Sequence, residues 1–304
     1  TVILKHSSQT PLCAEQLFDA AIKASLPKNI FQFLHLDHSS TSKVISDNRI
    51  NHVLFTGSVS GGKEIKKSIG TRFIGAGLEL GGKDPAYVRS DCNLEHAIEN
   101  LVDGSYFNSG QSCCGIERIY VDEHIFDKFV DGFKSITEKY ILGNPLEENT
   151  NLGPVVRMNA AKYIRTQVSQ ALNKGAKNII DSNKFKADDG INCYVSPSAL
   201  IQVDHSMEFM KEETFGPTVG IMKVKNEEDA INLMNDSAYG LTASIWTSDK
   251  EFAQSMGSKI ETGTFFMNRC DYLDPGLAWT GVKDTGIGVT LSVLGFDHLT
   301  RAKS

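Results

Sequence analysis

The sequence predicts an α/β protein: a doubly wound parallel segment over the first eighty or so residues, then a larger region in which the same pattern recurs at greater length. Three observations predict it. Short β-rich runs alternate with helical patterns, as parallel strands require, because every crossover between them needs a helix. Gly and Pro breakers punctuate the runs without any internal repeat or low-complexity linker. The 304 residues are 40% hydrophobic and 22% charged, an ordinary globular composition long enough for a sizeable core and two domains.

Taken in order, "TVILK" is a strand, and "CAEQLFDAAIKASL" is a helix with Leu17, Ala20, Ala21 and Ala24 at helical spacing behind a Thr10-Pro11 start. "IFQFLHL", "HVLFTG" and "RFIGAGLEL" are further strands, with a helix over 63–69 between the last two. The breakers of "ELGGKDP" mark a boundary near residue 81. Beyond it come a helix over 94–106, the strand "ERIYV", the helix "HIFDKFVDGFKSITEKY" and the loop "LGNPLEENTNLGPVV". A long amphipathic helix over 159–174 follows, and then strand-like "YVSPSALIQV", "TVGIMKV" and "TASIWT", with helices over 227–235 and 250–259. The opening "TVILKHSSQTPL", strand-like and without an initiating Met, reads as an interior cut.

A net charge of −6 offers no broad basic face to neutralise phosphates, so no nucleic-acid partner is expected. No stretch approaches the roughly 18 apolar residues of a membrane span, and no basic leader precedes an apolar run, so no membrane association is expected. Six cysteines without paired spacing read as reduced thiols in a cytoplasmic compartment, and eight scattered histidines leave no zinc-like pattern: no metal site is expected.

Four stretches carry residues suited to chemistry. "YFNSGQSCCG" sets Cys113 and Cys114 among Ser109, Gly110, Ser112 and Gly115, small residues that allow close backbone approach. Main-chain N–H groups at such a turn lower a thiol pKa and stabilise an oxyanion; the alternative is two buried structural thiols. "ELGGKDP" puts Glu79 at a strand end, either a general base in a partly desolvated cleft or a solvated carboxylate. "FTGSVSGGKEI" places Gly57, Ser58 and Gly62 between a strand and a helix, where N–H groups face a phosphate or merely form a turn; it is neither G-x-G-x-x-G nor a P-loop. "EETFGP" sets Glu213 and Phe215 in a loop that either touches a ligand hydroxyl and ring or buries its Phe in the core.

In order, "FTGSVSGG", "ELGGKDP", "FNSGQSCCG", "EETFGP" and "NRCDYLDPGLAWTGVKDTGIG" resemble the aldehyde dehydrogenase superfamily over essentially the whole chain. The resemblance implies a partial Rossmann-like cofactor-binding domain at 1–80, an α/β catalytic domain of the aldehyde dehydrogenase type at 81–284, and a segment at 285–304 returning to the cofactor and oligomerisation region. It makes Cys113 the nucleophile and Glu79 the group that activates water. It assigns Gly57, Ser58 and Gly62 to the phosphate-side turn, Lys5 to the adenosine ribose, Glu213 to the nicotinamide ribose, Phe215 to the ring, and Trp279 to the aldehyde tunnel. The implied reaction is oxidation of an aldehyde to a carboxylic acid with NAD or NADP, through a thiohemiacetal and a thioester on Cys113 that water hydrolyses.

Two departures stand out. Ser8 occupies the position where NAD-preferring relatives commonly carry a ribose-binding glutamate, which removes a charge that would repel a 2′-phosphate and opens NADP use. Relatives also carry an upstream segment with early strands, part of an oligomer surface and an oxyanion-hole asparagine, none of which falls within these residues. A homo-oligomer is implied for the full-length chain. Two alternatives accompany the main reading: a weakly active or inactive chain serving as a binding subunit, and a variant in which CoA resolves the thioester.

Overall fold

A computed structural model describes residues 1–304. The chain divides into two compact units, Thr1–Phe55 with Ser60–Ala76, and Thr56–Val59 with Gly77–Ser304. The first contains β1 (Val2–Leu4), α1 (Pro11–Lys23), β2 (Phe31–Phe33) and α2 (His38–Ser46), together with most of β3 (His52–Thr56) and α3 (Val59–Ile69).

β1 and β2 pair in parallel, Val2 opposite Phe31 and Leu4 opposite Phe33. Helix α1 is the crossover between them. Pro11 opens it, since the missing N–H is not needed there, and Phe18 lays its ring 6.4 Å from that of Phe31 and 5.5 Å from that of Phe33. The sequence reading missed α2 because "HSSTSKVIS" has almost no apolar periodicity, and only Ile45 is buried. Its legible signal is the cap: the Asp37 carboxylate accepts from the Ser40 amide at 2.7 Å. Helix α3 starts a turn earlier than the predicted residue 63, because Gly61 and Gly62 are weak helix formers that hide its first turn.

The second unit continues from β4 (Gly75–Glu79) through β5 (Asp84–Val88), α4 (Leu94–Tyr106), β6 (Ile116–Asp122), α5 (Phe126–Thr137) and α6 (Met158–Asn173). It then adds β7 (Lys177–Asn178), β8 (Ser198–Ile201), β9 (Thr218–Val224), α7 (Glu227–Asn235), β10 (Thr242–Trp246), α8 (Lys250–Gly257), β11 (Thr264–Met267), β12 (Gly286–Ile287) and α9 (Ser292–Leu299). Seven strands form one sheet in the order β11-β10-β5-β6-β9-β8-β7, parallel throughout except for β7 against β8.

Helices cover both faces of that sheet. Leu101 and Val102 of α4 and Phe129 and Phe133 of α5 pack with Ile119 and Trp246 on one side. Ala230 and Met234 of α7 and Ala253 and Met256 of α8 pack with Tyr87, Tyr120 and Ile245 on the other. Double coverage explains why "DPAYV" and "IERIYV" are buried along nearly their whole length without alternation. β5 escaped the sequence reading because its Asp84-Pro85 start looks like a breaker; the ladder absorbs it with a register shift between those two residues. β8 is shorter than "YVSPSALIQV" because it begins only after Pro197, which lacks a ladder donor.

No helix is long and apolar enough to cross a membrane, and no group of three or more His, Cys, Asp or Glu could hold a metal ion.

Candidate active site

Helix α4, capped by the Asn93 side chain on the His96 amide, ends at Tyr106 and delivers the chain into a tight turn over Phe107–Gly110. Asn108, Ser109 and Gly110 all take positive φ, at 50°, 56° and 70°. Such a run is costly for residues with side chains and persists because its surroundings fix it. Asn108 and Gln111 bond to each other's carbonyls, Ser109 donates to the Gly153 carbonyl at 2.8 Å, and Gln111 accepts from the Val156 amide at 2.7 Å. At Gly110 an added Cβ would sit 2.0 Å from the Gly216 carbonyl oxygen. Gly110 therefore gives the close packing between "FNSG" and "EETFGP" that a side chain would block.

The two cysteines diverge. Cys113 is half-buried, whereas Cys114 is buried beside Leu241 and Trp279. The Cys114 thiol donates to Asp271 Oδ1 at 2.8 Å, and the Ser112 hydroxyl donates to the same oxygen at 3.0 Å. The neighbouring Cys114 lowers the Cys113 thiol pKa, against burial and the negative charges of Glu79, Asp271 and Glu213. The closeness of Cys113, then burial and Asp271, holds Cys114 far above the usual thiol range. Burial raises Cys92 to about 11 and Cys270 to about 12.

Glu79 ends β4. Its backbone carbonyl accepts from the Gly57 amide at 3.0 Å, and its register partner is Gly286 of β12. Burial raises its carboxyl pKa, offset in part by hydrogen bonds from the Thr290 hydroxyl, at 2.9 Å, and from the Trp279 side chain. Trp279 and Thr290 exchange backbone hydrogen bonds of 2.7 and 2.8 Å, so one short bridge presents both donors. Glu79 is neither core nor freely solvated. A half-desolvated carboxylate held by two donors is suited to taking a proton from water.

Gly81 and Gly82 do more than reverse the chain. A Cβ on Gly81 would lie 2.4 Å from Glu213 Oε2, and one on Gly82 would lie 2.3 Å from the Cys113 carbonyl oxygen. The Gly82 amide donates to Glu213 Oε1 at 2.9 Å. Burial, reinforced by the charge of Glu117, pushes Glu213 up to about 7. Phe215, the residue with a core alternative, leaves 40% of its surface exposed and has φ 52°. It is not a core residue.

The second unit thus brings Glu79 and Glu213 within electrostatic reach of Cys113, with Trp279 packed against the cysteine pair. Gly57 and Ser58 belong to this unit as well. Lys5, just beyond β1, and Ser8, exposed in the following turn, belong to the first unit, as does Gly62, buried in α3. The sequence reading missed Thr290, Asp271, Lys83 and Glu117. Glu117 had a signal, a carboxylate inside the otherwise apolar strand β6, where a charge survives only with a partner; Lys83, in the Gly-Gly turn before β5, had none.

A sequence model described as the aldehyde dehydrogenase family matches residues 1–304. Succinate semialdehyde dehydrogenase [NAD(P)+] of Escherichia coli is 34% identical over 293 residues, covering 96% of this chain and 63% of the relative. A 3-sulfolactaldehyde dehydrogenase of Priestia aryabhattai is 34% identical over 290 residues, covering 95% and 59%. Among solved structures, succinic semialdehyde dehydrogenase from Streptococcus pyogenes in complex with NADP+ superposes with a TM-score of 0.92 at 31% identity, covering 97% of this chain and 64% of that one. The chain spans about three fifths of the length of these relatives. With the family's sequence model matched over residues 1–304 and its fold shared over 97% of this chain, the chain belongs to the aldehyde dehydrogenase family.

Proposed function

We propose that the protein oxidises an aldehyde to a carboxylic acid with NAD or NADP, using Cys113 as nucleophile and Glu79 as the base that activates water. The observation that carries this reading is that Trp279 packs against the cysteine pair while its bridge partner Thr290 donates to Glu79 Oε1 at 2.9 Å, which sets a half-buried thiol and a half-desolvated carboxylate at one site. The lowered Cys113 thiol, beside raised Cys92, Cys114 and Cys270, agrees with it.

The Cys113 thiolate adds to the aldehyde carbon and gives a thiohemiacetal. NAD or NADP, when bound, would supply the acceptor for the hydride that leaves that carbon. A thioester on Cys113 remains, Glu79 takes a proton from water, and the resulting hydroxide displaces the thiolate and releases the acid. Glu79 favours water over CoA as the acceptor, since CoA brings its own thiol nucleophile and requires no such base.

The residues present fit a dinucleotide. Phe215 keeps an exposed ring face, and Glu213 offers a carboxylate beside the close-packed Gly81-Gly82 turn. We assign Glu213 to the nicotinamide ribose and Phe215 to the ring. Lys5 and Ser8 belong with the adenosine ribose, and Gly57, Ser58 and Gly62 with the phosphate-side turn. Trp279 lines the aldehyde passage. Residues 1–80 are assigned to cofactor binding, 81–284 to catalysis and 285–304 to the return segment, in a homo-oligomer.

Stopped-flow absorbance of the reduced cofactor tests the assignment. The protein gives a burst that Cys113→Ala abolishes and Cys114→Ala retains. A burst that survives Cys113→Ala, or is lost only in Cys114→Ala, overturns it.

A further inference from the structure

Lys83 and Glu117 are 1% and 4% exposed, and their Nζ and Oε2 atoms are 2.5 Å apart. Burying two charges costs several kcal/mol per ion unless every remaining hydrogen-bonding position is used. Here the carboxylate's positions, and one of the ammonium's, are used on one short segment. Glu117 Oε1 accepts from the amides of Thr214, at 3.1 Å, and Phe215, at 3.0 Å, while its Oε2 accepts from Thr214 N at 2.9 Å. Lys83 donates to Thr214 Oγ1 at 3.1 Å, and that hydroxyl donates to Gln167 Oε1 at 2.6 Å. Gln167 in turn donates to Tyr163 Oη at 2.7 Å, and Tyr163 donates to the Glu213 carbonyl at 3.4 Å.

A second, independent observation points the same way. Phe215 stands at φ 52° with 40% of its surface exposed, so neither backbone preference nor core packing holds it there. A strained, outward-facing aromatic persists only where its surroundings over-determine it. Glu117 supplies that determination through the Phe215 amide. Lys83 also follows Gly82, whose amide holds the Glu213 carboxylate, so one buried cation ties the loop to the turn that grips it.

We propose that the Lys83–Glu117 pair positions Glu213 and Phe215 for the cofactor by clamping the backbone of residues 213–215. This rests on the reading of those two residues as the nicotinamide-side contacts. Lys83 and Glu117 are positioning residues; neither touches the reacting atoms.

The test compares four variants by NAD+ and NADP+ dissociation constants, measured calorimetrically, and by hydrogen exchange of the peptide covering 208–219. Lys83→Met with Glu117→Leu replaces the pair by apolar side chains of similar volume and removes the amide acceptor. It weakens cofactor binding about tenfold and speeds exchange in that peptide. Lys83→Met with Glu117→Gln keeps a neutral acceptor and restores binding to within about threefold. Glu117→Asp keeps the paired charge but draws the carboxylate back by one methylene, weakens binding severalfold, and serves as the second route if the Leu variant does not fold. Glu213→Ala is the control for the underlying reading. If Glu213→Ala weakens binding while the Leu and Asp variants bind like the parent, the clamp is overturned alone; if none of the variants changes binding, the reading of Glu213 falls with it.

Discussion

Gly82 stands so close to Cys113 that a Cβ on the glycine would lie 2.3 Å from the cysteine's carbonyl oxygen and 2.9 Å from Asp84 Oδ1. The turn that follows Glu79 thus packs directly against the backbone of Cys113, and that contact helps to set the spacing between the two residues. Gly82→Ala is expected to destabilise the protein by about 1–3 kcal/mol, the usual range for overpacking a close contact, and to lower kcat. Gly153→Ala, whose Cβ would meet only Pro145 at an ordinary 3.7 Å, should fall within about 0.5 kcal/mol of the parent. Thermal denaturation of the two variants checks the contrast.

In the proposed mechanism Cys114 tunes its neighbour and does not attack the substrate. It is the leading cause of the lowered Cys113 thiol, so Cys114→Ala should move the pH profile of Cys113 alkylation by iodoacetamide to higher pH and slow turnover near neutrality without abolishing it. Cys113→Ala should remove the fast-alkylating thiol altogether. An unmoved profile in Cys114→Ala would assign the lowering to something else.

Glu213 is pushed up to about 7, from an ordinary 4.5, by burial first and by Glu117 second. Its charged form is the better acceptor for ribose hydroxyls, so cofactor affinity should rise as pH passes upward through about 7, and Glu213→Gln should flatten that dependence. The stability effect has the opposite sign. A carboxyl whose folded pKa exceeds its unfolded one favours the fold most below the unfolded value of 4.5, and that contribution is lost as pH climbs to about 7. Calorimetric binding and melting across this window should therefore trend in opposite directions.

Ser8 leaves no carboxylate to repel a 2′-phosphate, and it is exposed in the turn after β1. At matched low concentrations NADP should support turnover at least comparably to NAD, and Ser8→Glu should lower kcat/KM for NADP about tenfold or more while leaving that for NAD within a few-fold. Strong preference of the parent for NAD would contradict this role.

Much of this was legible before the structure. Alternating strands and helices gave the α/β class because parallel strands cannot be joined without crossovers, and the order of the motifs pointed to Cys113 and Glu79. What stayed hidden depends on long-range contacts that local patterns do not encode. The Asp84-Pro85 start concealed β5, a fully buried strand, since a breaker tolerated at a strand start looks the same as one that ends it. Cys114 seemed idle until Asp271, far along the chain, came within 2.8 Å of it. Gly81 and Gly82 looked like freedom to turn and proved to be room for Glu213 and Cys113. Glu117 sat in a β-rich run with nothing to show that its partners would be Lys83 and two amides of a distant loop.

The central claim is a division of labour on one carbon, with Cys113 forming the acyl bond and Glu79 needed only to break it. Mass spectrometry of Glu79→Gln quenched in acid during turnover tests this most directly. The peptide containing Cys113 and Cys114 should gain the mass of one acyl group, fragmentation should place it on Cys113, and a full burst of reduced cofactor should precede slow steady turnover. An unmodified peptide with turnover equal to the parent, or an acyl group on Cys114, would contradict it.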